Sequence, residues 1–498
     1  MGRIGDTVMC GNPVLEECSF SAPRACIPHA AGEWEMSKHL ENKGSANAQQ
    51  FPLINPDAAG IDIGGSSHFV AVPAGRDAQG KDVREFGAFT ANLLELAKWL
   101  KDCAVKNVAM ESTGVLWIPL FEVLEAQGFQ VRLVDARQTK SMPGRKSDVL
   151  DCQWIQRLHS CGLRTAAFRP EQEVCVLRSY LRQRGMLVQY AGQHIQHLQK
   201  ALTQMNLKLQ QVVSDISGLT GMKIIRAIVD GQRNPKKLAA LRDERCKNPL
   251  EIIAKALEGN YREEHVFALQ QALQLYDFYQ RKLEECDAKI KAQLERFEDR
   301  SEAAQPPPAM NHKARGNAPQ FDLRSALFRM AGVDLTEVDG LDAYTALKVL
   351  SETGADMSPW RSIKHWTSWL GLCPGSHVSG GKRFSGRTKP CANKAATALR
   401  VAAQTLWHSK SALGAFLRRM KMRLGPAEAT TATAHKLARI IYVMLKSKTT
   451  YRDLGEHYYE EKYRERALRN LARRAKEFGF TLVQAVAPCP PLPAAVSS

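Results

Sequence analysis

Apolar and polar positions alternate with two different periods in the first third of the chain. Residues 58–73 (AAGIDIGGSSHFVAVP) read as two strands, GIDI and HFVAV, joined by a Gly-Gly-Ser-Ser turn. Residues 85–91 read as a third strand. Leu93, Leu96, Ala97 and Leu100 recur at helical spacing and predict a helix over 93–103. A short apolar strand, NVAME, covers 107–111 and runs into Ser112-Thr113-Gly114. A helix over 117–127, a strand over 129–134 and a helix over 148–162, ending at Gly162, follow. Strands alternating with helices predict an α/β domain with a mixed sheet.

The period then changes to seven. Leu181, Val188, Ile195, Leu202 and Leu209 form one row, and Leu177, Ala191, Leu198, Met205 and Val212 its companion. This is an a/d heptad pattern over about five heptads, interrupted by Arg184. A second run holds Leu269, Leu273, Tyr276, Leu283, Ile290, Leu294 and Phe297 and is weakened by Gln280 and Asp287. Long coiled-coil helices are predicted, pairing either with each other or across subunits.

Beyond a Pro- and Ala-rich stretch, helices are predicted over 323–330, 343–354, 360–370, 392–407 and 435–446, which makes a mostly α-helical C-terminal domain. Between the helices over 360–370 and 392–407 lies SHVSGGKRFSGRT (376–388), read as a loop rich in Ser, Gly and basic residues. The divisions expected are a flexible leader (1–54), a catalytic α/β domain (55–170), a helical coiled-coil region (171–300), a linker (301–320), a helical domain (321–480) and a tail (481–498).

Length and composition sharpen this picture. A chain of 498 residues exceeds one compact core, and 44% hydrophobic with 24% charged residues is globular. The net charge is +18, and 28 basic against 14 acidic residues lie from Phe321 onward. No acid occurs between Asp356 and Glu428. Such an excess points to a polyanionic partner, most often nucleic acid. No apolar run is long enough to span a bilayer, and no secretory signal is visible at the N-terminus. The 12 cysteines fit no zinc spacing and read as unpaired cytosolic thiols.

Two constellations carry chemistry. Asp62 sits in an apolar strand, Glu111 ends another, and Asp148 and Asp151 share one face of a helix. A charge buried in a strand costs several kcal/mol unless paired or metal-bound. Four acids brought together repel, and a hard divalent cation, Mg²⁺ or Mn²⁺, would relieve them. Two such ions about 3.5–4 Å apart can activate an attacking oxygen and stabilise a leaving one. Taken singly, each acid reads better as a turn or helix cap, and only the ordered set on strand, strand and helix outweighs that. The second constellation is Ser379 beside Gly-Gly, with Lys382, Arg383 and Arg387 to hold phosphate, and Ser376 and Ser385 as rivals. From spacing alone, a phosphate-binding or merely flexible loop is the better explanation of these residues. Trp360, Trp366, Trp369 and Trp407 read as core rather than as base-stacking platforms. No phosphate-binding Gly-Lys-Ser/Thr loop is present.

The order GIDIGGSSHFVAV, AMESTGVLW, RKSDVLDC, then LRSYLRQRGMLVQ, WLGLCPGSHVSGGKRFSGR and LGEHYYEEKYRERALRNLARRAKEFGF resembles the DEDD transposases of bacterial insertion sequences. This is the family numbered one hundred and ten, which includes the Piv-type DNA invertases, and the likeness covers about residues 58–480. It departs from the family at Ser147, at Cys152 and in the run Lys389-Pro390-Cys391-Ala392-Asn393-Lys394. The resemblance implies a RuvC-like, ribonuclease-H-type N-terminal domain whose catalytic, metal-holding acids are Asp62, Glu111, Asp148 and Asp151, with Mg²⁺ (or Mn²⁺) as cofactor. It implies Ser379 as a nucleophile forming a transient phosphoserine link to DNA; Lys382, Arg383, Arg387, Lys389 and Lys394 are the candidates for binding nucleic acid. Donor and target DNA, a structured non-coding guide RNA, a homo-oligomer (dimer or tetramer) and a bacterial, nucleoid-associated cytoplasmic location are the further expectations. Two other classes stay open: a metal-dependent nuclease or junction resolvase that uses water, and a non-catalytic nucleic-acid scaffold with a coiled coil.

Overall fold

The computed structural model describes residues 52–112, 114–134, 147–163, 166–301, 307, 316–375 and 377–483. Almost all of the expected leader, most of the expected linker and tail, and Ser376 lie outside these residues. The chain divides into two compact units, residues 1–167 and 168–498.

In the first unit a five-stranded sheet has the order β3-β2-β1-β4-β5. The strands are β1 (Ala58–Ile63), β2 (Ser67–Ala71), β3 (Val83–Gly87), β4 (Asn107–Glu111) and β5 (Gln130–Val134). β1 runs antiparallel to β2 and parallel to β4; β2 and β3 are antiparallel, β4 and β5 parallel. The mixed sheet is the one the alternation predicts. Helices α1 (Thr90–Asp102) and α2 (Trp117–Ala126) contribute to one core with Ile61, Val70, Val108, Met110 and Leu133. Helix α3 (Asp148–Ser160) packs on the sheet with Ala109, Val134 and Ile155. The third strand lies two residues earlier than expected, because α1 already starts at Thr90.

The second unit is built on α4 (Gln172–Gln204) and α9 (Glu263–Glu295), each of 33 residues. They run antiparallel: Gln293 reaches the Glu173 carbonyl, and Tyr279 packs on Tyr190 and His194. The long helices therefore pair with each other inside one chain. The seam differs in detail from the heptad reading. Leu177, Arg184, Ala191 and Leu198 are buried together with Leu187 and Leu202, whereas Leu181, Val188 and Ile195 are only partly buried. The helix also stops earlier than the heptad rows do. Asn206 takes φ +57°, a left-handed conformation that ends a helix. Leu209 and Val212 fall on a separate short helix, α5 (Leu209–Val212).

Helices α5, α6 (Leu219–Val229), α7 (Pro235–Ala239) and α8 (Leu250–Ala256) fold over the far ends of α4 and α9 around their own core. The near ends enter a larger core with the C-terminal helices: Val174, Leu177, Ile290 and Leu294 join Leu347, Trp366, Leu399 and Leu437. Those helices are α10 (Leu323–Ala331), α11 (Ala343–Thr353), α12 (Ile363–Trp369), α13 (Lys394–Thr405), α14 (Ala412–Leu424), α15 (Pro426–Ser447) and α16 (Gly455–Glu477). α12 begins three residues later than predicted, behind Pro359. α15 begins nine residues earlier, because Pro426 is tolerated in a first helical turn. Helices α14 and α16 escape the periodicity reading, although α16 carries Ala467, Leu468, Leu471, Ala472 and Ala475 at helical spacing; none of its residues is buried. The described cysteines are free thiols, and no helix among the described residues is long and apolar enough to cross a membrane.

Candidate active site

Pleat alternation places the first two acids. Along β1, Ala59, Ile61 and Ile63 enter the core with α1 and α2, so Gly60 and Asp62 face the other way. Along β4, Val108 and Met110 enter that same core, while Ala109 joins Val134 and Ile155. Glu111, two residues beyond Ala109, shares its face. β1 and β4 are parallel with Ile61 opposite Met110, so Asp62 and Glu111 stand side by side at the C-terminal ends of neighbouring strands.

Helix α3 brings the other two. Its N-cap is Ser147, whose Oγ accepts from the Leu150 amide at 3.4 Å. Asp148 and Asp151 occupy its first turn, where negative charge meets the positive end of the helix dipole. The helix lies against β1 because residue 60 is glycine. A Cβ there would fall 2.2 Å from the Gln156 nitrogen and 2.4 Å from the Cys152 oxygen. Gln156 Nε2 also donates to the Ala58 carbonyl at 3.3 Å. The other end of α3 is fixed by the Ile54 and Asn55 amides, which donate to the Ser160 carbonyl at 2.8 and 2.9 Å.

The electrostatics follow from this placement. The half-buried Asp62 carboxyl is pushed up to about 6, first by burial and then by the charges of Asp148, Glu111 and Asp151. The other three sequence-predicted acids thus all act on Asp62. Among the described residues no three His, Cys, Asp or Glu side chains are gathered into a metal-binding group. Closing around a cation would require these side chains to rotate on a fixed backbone. As a donor set, four carboxylate oxygens fit Mg²⁺ or Mn²⁺. Cys152 takes no part. It is fully buried, its thiol donates to the Val149 carbonyl at 3.1 Å, and burial pushes it up to about 12, so it serves as a small apolar residue.

Ser379 lies in a β-hairpin, not in an irregular loop. Strands β6 (His377–Ser379) and β7 (Lys382–Ser385) are antiparallel, with Ser379 opposite Lys382. The connecting Gly380 and Gly381 have φ +56° and +74°, the left-handed pair that a two-residue hairpin turn demands. The first effect of Gly-Gly is therefore to turn the chain. Residues directly opposite share a face with Cβ atoms about 4.5–5.5 Å apart, so the Lys382 side chain starts beside the serine. Both are exposed. The stem is fixed by a bridge between Pro374 and Thr388 and by the Gly375 amide, which donates to the Arg387 carbonyl at 3.0 Å.

Of the other basic residues, Arg383 lies on β7, opposite Val378, and Arg387 and Lys389 follow the hairpin, both exposed. Lys394 is exposed in the first turn of α13, behind Asn393, whose Oδ1 accepts from the Ala395 amide at 2.9 Å. The tryptophans are core, as expected, with one exception. Trp366 is fully buried and donates to the Ala438 carbonyl at 2.9 Å, and Trp360 packs on it. Trp407 is partly exposed, with the Lys421 ammonium 3.7 Å from its ring centre.

Two family models match the chain, the first running from the sheet through the first long helix of the second unit. Residues 59–207 match a family model described as a transposase, of the DEDD type typified by IS110. Residues 332–418 match the model of the transposase IS116/IS110/IS902 family. The first match spans all four acids and the second spans Ser379 and the five basic candidates. No curated protein matches the chain.

Proposed function

Because this chain belongs to the IS110 family of transposases, whose work is the processing of DNA, we propose that it cuts and rejoins DNA by phosphoryl transfer with Ser379 as nucleophile. The observation that carries this reading is the meeting of Asp62 and Glu111 on adjacent parallel strands with the first turn of α3. The strand order β3-β2-β1-β4-β5, with an antiparallel meander on one side and parallel strands on the other, supports a ribonuclease-H-type assignment of the sheet. RNA guidance and oligomeric action belong to the same proposal.

Asp62, Glu111, Asp148 and Asp151 would hold the divalent cation. When bound, such an ion neutralises phosphoryl charge and stabilises the attacking and leaving oxygens. The serine and the carboxylates supply two parts of one reaction. The Ser379 oxygen gives up its proton and bonds to phosphorus; the bond from phosphorus to the deoxyribose oxygen breaks; that oxygen leaves and takes up a proton. A second transfer, with a DNA hydroxyl attacking the serine phosphodiester, restores the serine. Lys382, beside Ser379, and the basic residues after the hairpin bind the non-bridging oxygens.

The test is recombination of a paired donor and target substrate with Mg²⁺. Ser379→Ala and Asp148→Ala should each abolish joining. Full activity in either overturns the mechanism. Cleavage retained in Ser379→Ala but lost in Asp148→Ala would move the reaction to water.

A further inference from the structure

The second unit holds a cavity of 610 Å³ bordered by α15, α16 and residues 449–451, with none of the hairpin residues in its lining. Three cationic side chains line it, Lys436 and Arg439 from α15 and Arg466 from α16, together with the imidazole of His435 from α15. Their spacing on α15 puts them on one face, and the hydroxyl-bearing Thr449 and Thr450 close one side. Among the described residues no carboxylate lines it, and Lys436, Arg439 and Arg466 make no ion pair.

Like charges so arranged need an explanation. The Lys436 ammonium lies 4.5 Å from the centre of the Phe416 ring and 5.3 Å from that of Tyr459, so ring faces hold it inside the cavity. Burial and then the charges of Arg439 and Arg466 hold Lys436 below the usual lysine range, and burial and Arg439 hold His435 below the usual histidine range. Asp453 exerts the weakest of the influences on Lys436. Its carboxylate is already engaged, accepting from the Ala412 amide at 3.1 Å and the Gly455 amide at 3.0 Å. The fold has gathered cations without supplying their counter-charge.

The basic surface continues outward. On α16, Lys462, Arg466, Arg469 and Arg473 follow the 4-3-4 spacing of one helix face, and the helix buries none of its residues. Arg466 belongs both to that row and to the cavity. We propose that the cavity seats one phosphate of a nucleic-acid backbone, and that the α16 row carries the same backbone onward. This rests on the reading of the chain as a DNA-processing protein, but adds a binding site separate from the hairpin and from the acids.

The experiment is binding of the full chain to a fluorescent 40-base-pair duplex at several salt concentrations. The variants are Arg439→Gln and Arg466→Gln, singly and together, with Lys291→Gln on α9 as control. Arg466 is exposed on a helix without buried residues, so its replacement leaves folding intact. Removing one cation that neutralises a phosphate should lower the salt slope by about one. Affinity at low salt should fall about five- to tenfold per variant, and the control should match the wild type. Unchanged slope and affinity in the double variant, while the wild type binds, overturns the site and leaves the proposed function standing. Stabilisation of the wild type but not the double variant by pyrophosphate, with duplex binding unchanged, overturns the backbone assignment in favour of a free oxyanion. A wild type that binds no duplex at any salt contradicts the functional reading itself.

Discussion

Arg184 Nε donates to Asp287 Oδ1 at 2.5 Å, joining the two long helices of the second unit through a buried ion pair. The same guanidinium donates to the Asn317 carbonyl at 2.6 Å and the Tyr344 hydroxyl at 3.2 Å, so it also ties the helix pair to α11. Each residue breaks a heptad row when read alone; together they are one contact. Arg184→Met strands a buried carboxylate and should cost about 3–5 kcal/mol. Arg184→Met with Asp287→Leu should recover most of that deficit. Chemical denaturation of the four proteins of this cycle measures both. Equal stability of the single and double variants would contradict the coupling.

The approach of α3 to β1 rests on Gly60. A methyl group at residue 60 meets backbone atoms of Cys152 and Gln156, which cannot rotate away, so α3 must shift. Overpacking of this kind costs about 1–3 kcal/mol. Gly60→Ala should therefore lower the denaturation midpoint. It should also weaken Mn²⁺ binding, measured by calorimetry, because Asp148 and Asp151 move with the helix. Wild-type metal affinity in a destabilised Gly60→Ala would separate the packing from the site.

Asp62 links stability to pH. Its carboxyl is raised from the ordinary 3.8 to about 6, so the folded chain holds this proton more tightly than the unfolded one. The contribution is fully present below about 3.8 and is lost as pH rises through about 6. Above about pH 7, without divalent metal, Asp62→Asn should melt at a higher temperature than the wild type, and the gap should shrink by about pH 5. Added Mg²⁺ should stabilise the wild type and narrow the gap at neutral pH. Thermal melts from acid to mildly alkaline pH read the effect, and a variant less stable than wild type at the alkaline end would contradict it.

The hairpin turn depends on two positive φ values. A side chain in the left-handed region costs about 1–2 kcal/mol. Nothing lies within 4 Å of a Cβ built at Gly380 or Gly381, so the penalty is conformational and not steric. Gly380→Val with Gly381→Val should open the exposed hairpin locally, speeding hydrogen exchange of its amides, and lower the melting temperature no more than slightly. Recombination should fall with it, since Ser379 loses its position opposite Lys382. Full recombination by this variant would show that the turn does not position the serine.

Much of the first unit is legible from alternation alone. β1, β2 and β4, their order along the chain and the face shared by Asp148 and Asp151 follow from period and spacing. Gly60 carries a readable signal, a glycine two residues before a lone acid in an apolar strand, where close backbone approach is the usual cause. Other features are hidden for physical reasons. The seam of the long helices rotates onto the row containing Arg184 because a paired charge can be buried where a heptad reading admits only apolar residues. The hairpin around Ser379 has strands of three and four residues, too short for any period. The cation-lined cavity joins residues about thirty apart in sequence, and only the packing of α15 against its neighbours brings them together.

Ser379 as the attacking group is the centre of the mechanism, and trapping its product tests that most directly. With Mg²⁺ and a donor–target substrate, denaturing gels should show a covalent protein–DNA adduct in the wild type. It should persist in Ser385→Ala and vanish in Ser379→Ala and Asp148→Ala, with peptide mapping placing the phosphodiester on Ser379. An adduct that survives Ser379→Ala, or strand joining by that variant without any adduct, would contradict the assignment.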